Sequence, residues 1–161
     1  MEAPAVVRLR DDELDLVRPL LVQLQLEEQP HFGDHPQLSR ADLEGIAAPI
    51  TSSFTGENVC LAVREPGGGG LAGFCWLVLF DPGTGLEGEV AEVYVAPEYR
   101  GRGVAQRLVH EAVKVFEQRQ VTLGYVWTRP ENEGATRLYS GAGFKPTRQL
   151  VMTWYPPDAG K

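Results

Sequence analysis

With 161 residues, 43% hydrophobic and 23% charged, the chain is long enough to bury a core and too short for two comfortable domains, so one domain over 1–155 with a short tail at 156–161 is expected. A net charge of −7 argues against general attraction to nucleic acid and permits a cationic substrate without requiring one. The start Met1-Glu2-Ala3-Pro4 has neither a basic segment nor an apolar core, and the longest apolar stretch, Leu71 to Phe80, falls far below the ~20 residues of a spanning helix; a cytoplasmic protein with no membrane partner is expected.

In chain order, Ala5 to Leu9 reads as a short first strand, and Asp11-Asp12 as a helix start with acids at the positive end of the dipole. Leu14, Val17, Leu20, Leu21 and Leu24 form that helix's buried stripe, and Pro19 must either lie near its true first turn or kink it. Glu27 to Ser39, with Pro30, Gly33 and Pro36, reads as a loop leading to a second helical piece over Arg40 to Ala48. His31, Asp34 and His35 sit in this loop between prolines, which does not fix ligand geometry, so no metal is expected. Val59 to Arg64 and Leu71 to Phe80 are β runs separated by Glu65-Pro66 and four glycines, a gap that fits a turn and no helix; they predict an antiparallel hairpin. Cys60 and Cys75 are too few and wrongly spaced for zinc, and read as buried reduced thiols. A second turn, Asp81 to Gly85, leads into a valine-rich strand over Glu89 to Ala96, continuing an antiparallel meander.

Pro97 stops that strand, and Val104, Leu108, Ala112 and Phe116 then repeat at helical spacing. At the junction Gly101 and Gly103 let the backbone turn tightly, leaving the first-turn N–H groups of the helix pointing outward beside Arg100 and Arg102. The expected ligand is an anion, in first place a pyrophosphate. Val104 and Ala105 follow Gly103 directly, so the third glycine of a dinucleotide fingerprint is missing, and no Gly-Lys-Ser/Thr makes a P-loop. Val121 to Thr128 reads as a further strand, and Ala135, Leu138, Tyr139 and Ala142 make an apolar helical stripe after it. Phe144 to Pro146 and Leu150 to Trp154 can pair as a final hairpin.

Arg100, Gly103 and Ala105 match Arg/Gln-x-x-Gly-x-Gly/Ala, and Asn132 to Phe144 matches Asn-x-x-Ala-x-x-x-Tyr-x-x-x-Gly-Phe. In these two blocks, in this order, the chain resembles the GNAT superfamily of N-acetyltransferases, firmly over Val90 to Phe144. The resemblance implies an α/β fold with a mixed sheet of about six to seven mostly antiparallel strands and about four flanking helices, the fourth and fifth strands splayed beside a β-bulge. It implies acetyl-CoA as co-substrate, no metal, and a homodimer as a common assembly. The backbone of Val93, Tyr94 and Val95 would hold the pantetheine arm, and Arg100, Gly101, Arg102, Gly103, Val104 and Ala105 the pyrophosphate. Asn132 and Ala135 would lie beside the arm, with Asn132 also an N-cap.

The implied reaction is direct attack of a small-molecule primary amine on the thioester in a ternary complex. An alkyl amine of pKa ~10.4 is neutral about once in ~10³ molecules at pH 7, a penalty of about 4.6 kcal/mol, so the site must help remove a proton. Glu92 is the best-placed base, on the same strand face as Tyr94, with Glu89 expected on the other face and water as the alternative base. Tyr139 matches the family's general acid. Glu27, Glu28 and Asp34 lie close together in the segment that caps the acceptor side in relatives, which points to a cationic amine. An acyl-CoA-binding sensor without turnover, a protein or peptide N-acetyltransferase, and a domain binding other phosphates remain alternatives.

Overall fold

The computed structural model describes residues 5–31, 37–46, 56–81 and 85–153. Five strands form one sheet in sequence order: β1 (Val6–Arg8), β2 (Glu57–Arg64), β3 (Leu71–Phe80), β4 (Glu87–Val95) and β5 (Leu123–Tyr125). The first four run antiparallel, and β5 lies parallel to β4. A parallel neighbour needs a crossover, supplied here by helix α3 (Val104–Gln118).

α3 buries the stripe that its spacing predicts. Val104, Leu108, Ala112 and Phe116 pack on Val59, Leu61, Leu77, Leu79 and Val90 of the sheet. At about 1.5–3 kcal/mol per buried large apolar side chain, this face rather than helix propensity holds α3 in place. The opposite face carries Cys60, Ala62, Phe74 and Tyr94, covered by Val17 from a 3₁₀ turn over Asp11–Val17 and by Leu24 from α1 (Arg18–Glu28). Pro19 lies in the first turn of α1, where its missing N–H has no helical partner to lose. Two shorter helices, α2 (Arg40–Ile46) and α4 (Glu133–Gly141), complete the described α-helices. Cys60 and Cys75 are buried, unbridged thiols, and burial pushes Cys60 up to about 12. No helix among the described residues is long and apolar enough to cross a membrane.

The ring of Phe116 reaches the sheet over two glycines that face each other, Gly88 of β4 and Gly124 of β5. A Cβ on Gly88 would stand 2.5 Å from the ring and one on Gly124 2.9 Å. Gly88→Ala is therefore expected to destabilise the protein by about 1–3 kcal/mol through overpacking, read as a lower denaturation midpoint with unchanged slope.

Opposite Trp76 and Leu77 the register of β4 jumps from Glu92 to Val90, so Ala91 is the extra residue of a β-bulge. The β4–β5 pairing stops at Glu89 and Tyr125, just before this bulge, while β4 runs on to Val95. The two strands thus part as expected, and the strand predicted over Val121 to Thr128 shrinks to Leu123–Tyr125 because its partner bends away. The final hairpin does not form among the described residues: 144–153 contain no strand, and Leu150 and Met152 are 83% and 86% exposed. Lys145 to Gln149 present no alternating apolar face to bury, so the described sheet has five strands rather than six or seven. Asp34, His35, Ala47, Ala48, Trp154 and the expected tail lie outside the described residues.

Candidate active site

The bulge and the splay define the site. Ala96 N–H donates to the Ala72 carbonyl at 2.9 Å, so by antiparallel alternation Tyr94 turns its backbone groups toward β3. Val93 and Val95 turn theirs outward, to the side that β5 has left. This open edge leads into a 3₁₀ turn over Pro97–Tyr99 and then into the two glycines. Gly101 and Gly103 have φ of +72° and +74°, a conformation that favours glycine, and Gly103 is the N-cap of α3 without a side-chain capping bond. Val104 is buried and Ala105 half-buried, while Gly101, Arg102 and Gly103 are exposed. Uncapped first-turn N–H groups beside exposed glycines make a concave, positively polarised cradle for an anion.

Arg100, expected from the sequence to contact a phosphate, makes its contacts here within the protein. Its Nε donates to the Val95 carbonyl at 2.8 Å and its Nη2 to Glu27 Oε2 at 2.7 Å, with the guanidinium 5.3 Å from the Tyr94 ring centre. Arg102 lies over the Tyr99 ring at 5.8 Å. The bonds of Glu27 to Tyr94 and Arg100 span 67 and 73 positions along the chain, so no local pattern could have revealed them.

Glu92 lies on the α1 side of β4 with Tyr94, as expected. Glu89 was expected on the opposite face, and the bulge at Ala91 overturns this: Glu89 pairs with Val78 and Glu92 with Trp76, two positions apart on uninterrupted β3, so both carboxylates share one face. Burial above all, then the charges of Glu28 and Glu89, pushes the Glu92 carboxyl up to about 7. Tyr139, on α4, packs edge-to-face on Phe144 at 5.8 Å and against the α3-side core. Burial, with Cys75 and Glu92 adding to it, pushes its phenol well above the usual value. Asn132 caps α4, its side chain accepting from Ala135 N–H at 3.1 Å. Arg129 pairs with Glu28 at 3.2 Å, and a cleft of about 440 Å³ is lined by Glu28, Arg129, Glu131 and Asn132. Among the described residues no group of three or more His, Cys, Asp or Glu could hold a metal ion.

The arrangement offers an open strand edge, a cradle suited to an anion, a carboxyl near neutrality on the α1 side of β4 and a phenol packed against the α3-side core. Comparison with known proteins agrees. The model of the acetyltransferase (GNAT) family matches residues 21–144. A mycothiol acetyltransferase of Thermobifida fusca (strain YX) is 32% identical over 133 residues, covering 79% of this chain and 41% of the relative. The mycothiol acetyltransferase of Tsukamurella paurometabola is 37% identical over 119 residues, covering 70% and 40%. The chain spans about two fifths of the length of these curated relatives. The crystal structure of a probable acetyltransferase superposes with a TM-score of 0.71 at 21% identity, covering 94% of this chain and 97% of the other, which shows the same fold. An open β4 edge running into an uncapped glycine turn, inside a match over residues 21–144, places this chain in the GNAT acetyltransferase family.

Proposed function

We propose that this chain is an acetyl-CoA-dependent N-acetyltransferase that modifies a primary amine of a small molecule by direct attack in a ternary complex. The observation that carries the reading is the continuity of the outward-turned backbone of Val93 and of the Val95 N–H, the Val95 carbonyl already accepting from Arg100, with the uncapped turn at Gly101–Ala105. Acetyl-CoA fits this set: the extended edge suits the pantetheine arm, and the exposed glycines let a pyrophosphate approach the first-turn N–H groups of α3. Asn132 and Ala135, at the start of α4, flank the arm in this reading. Bound acetyl-CoA supplies an acetyl thioester as the electrophile.

The protein's own residues handle the protons. Transfer from an amine of pKa ~10.4 to an ordinary carboxylate near 4.5 is uphill by about 8 kcal/mol, and to Glu92 at about 7 by about 4.6 kcal/mol. The buried, acid-flanked setting thus reduces the mismatch by about 3 kcal/mol and makes Glu92 the base, directly or through a water. Tyr139 keeps its proton throughout the working range. Against a thiol near 8.5, full release from its Oη is uphill by more than about 2 kcal/mol, so the hydroxyl acts as a hydrogen-bond donor to developing negative charge, and the departing thiolate takes its proton from the Glu92 carboxyl that received the amine's or from solvent. Tyr139→Phe retains the packing on Phe144 and is expected to lower kcat by about 10 to 10² with acetyl-CoA affinity unchanged, in steady-state kinetics paired with calorimetry. Full activity would leave Tyr139 a packing residue only.

The names of the relatives, which pair acetyl transfer with mycothiol, support a small-molecule acceptor. Glu28 and Glu131 line the cleft together with Arg129, and Glu92 feels the charges of Glu28 and Glu89; this acidic set favours a cationic amine, although Glu27 and Glu28 are each paired with an arginine. Two buried thiols that bridge nothing fit a reducing cytoplasm, which belongs to the same proposal. Thermal melting tests the co-substrate. Acetyl-CoA and CoA should raise Tm and ATP and NAD should not, because only the first two carry the arm that β4 receives. Equal stabilisation by ATP would reduce the site to a general phosphate turn, and no stabilisation by any of the four would overturn the proposal.

A further inference from the structure

Arg100 opens the glycine turn, yet its guanidinium is engaged on three sides, by the Val95 carbonyl, the Glu27 carboxylate and the Tyr94 ring. Glu27 also accepts from the Tyr94 hydroxyl at 2.7 Å and from the Gln23 amide at 3.0 Å. Burial opposes ionisation of Glu27, but the bonds from Gln23, Tyr94 and Arg100 outweigh it and hold the carboxyl below its ordinary range. It is therefore an anion at neutral pH and neutralises Arg100 at contact distance. The Nε bond closes the chain between Val95 and Arg100 into a loop, inside which Tyr99 N–H donates to Ala96 and Arg100 N–H to Pro97. That loop joins the open edge of β4 to the cradle at α3.

The geometry points to Arg100 as a positioning residue for acetyl-CoA, a clamp that sets the cradle relative to the β4 edge and is held shut from α1 by Glu27, rather than a charged ligand of the pyrophosphate. This rests on the reading that residues 100–105 hold acetyl-CoA. A clamp and a charged ligand make opposite demands on the side chain. The clamp needs first a donor at the position of Nε, the Nη2 bond to Glu27 only reinforcing it, and a phosphate ligand needs the positive charge. Glutamine places its Nε2 the same number of bonds from the backbone as arginine Nε and carries no charge. Lysine keeps the charge, but its one donor nitrogen lies a bond farther out. Methionine has neither.

Calorimetry of acetyl-CoA binding at low and high salt separates the two roles. Arg100→Gln is expected to stay within about threefold of the parent and to keep the parent's salt dependence. Arg100→Lys and Arg100→Met should each weaken binding by about tenfold or more, since a displaced cradle loses several contacts together. Glu27→Gln should weaken it less than Arg100→Met does. The double variant should bind no worse than Arg100→Met alone, because Glu27 acts through Arg100. The reverse ranking, with lysine retaining affinity and glutamine losing both affinity and salt dependence, would overturn the inference while leaving acetyl-CoA binding intact. Equal affinity across all variants would overturn it as well. If the parent itself fails to bind acetyl-CoA, the proposed function falls first and the clamp with it.

Discussion

Replacing Glu92 by glutamine is expected to lower kcat/KM at pH 7 by about 10² to 10⁴, the range of a lost general base, with acetyl-CoA affinity within a few-fold of the parent. The parent's rate should rise with pH through about 7 as the carboxyl ionises, and the variant should lack that limb. The same substitution has an opposite effect on stability. A carboxyl raised in the folded state from an ordinary 4.5 to about 7 favours folding while protonated. Its contribution is fully present below the unfolded value near 4.5 and is lost as pH rises through about 7. At pH 8 the parent therefore carries a destabilising buried charge that the variant lacks. At 1.36 kcal/mol per pH unit the ceiling is about 3 kcal/mol, and residual solvent access lowers it to about 2 kcal/mol. Glu92→Gln should thus be less active yet more stable than the parent at pH 8, with the gap shrinking toward pH 5, as urea denaturation at the two pH values would show. Equal stability at both would place the carboxyl in water.

Gly103→Val should disable the cradle. Nothing crowds the new side chain, since a Cβ there meets only Gln106 Oε1 at 3.6 Å. The backbone is the obstacle. Its φ of +74° costs a β-branched residue about 1–3 kcal/mol, or forces the turn to relax and swing the first N–H groups of α3 off target. The fold should survive with Tm lower by a few degrees, and acetyl-CoA affinity should fall by about 10² or more, by calorimetry on the folded variant. Unchanged affinity would remove the turn from the binding site.

The elements most legible in the sequence are those whose order is local. The stripe of Val104, Leu108, Ala112 and Phe116, the hairpin around four glycines, the Gly101–Gly103 turn and the Asn132 cap each follow from neighbours within a few residues, and each stands where its pattern placed it. What escaped is long-range or depends on one extra residue. Ala91 carries no mark of a bulge, yet it moves Glu89 onto the face of Glu92 and so helps raise the base. In the sequence Glu27 reads as an acid waiting for an amine. Its partners Tyr94 and Arg100 come from a distant strand and turn, so only the fold shows that its charge is already answered. The final hairpin is absent among the described residues for a different reason: its apolar residues, Leu150 to Met152, alternate with nothing that would give them a buried face.

The most direct test is product formation. The purified chain would be incubated with acetyl-CoA and a panel of polyamines, aminoglycosides, amino acids and peptide N-termini, with free CoA thiol and acetylated amine quantified together by mass spectrometry. The predicted result is thiol and acetamide formed in equal amounts with at least one small amine, with the yield collapsing in both Glu92→Gln and Gly103→Val. Acetylation confined to peptide N-termini, or no thiol release above the protein-free rate with any amine, would contradict it.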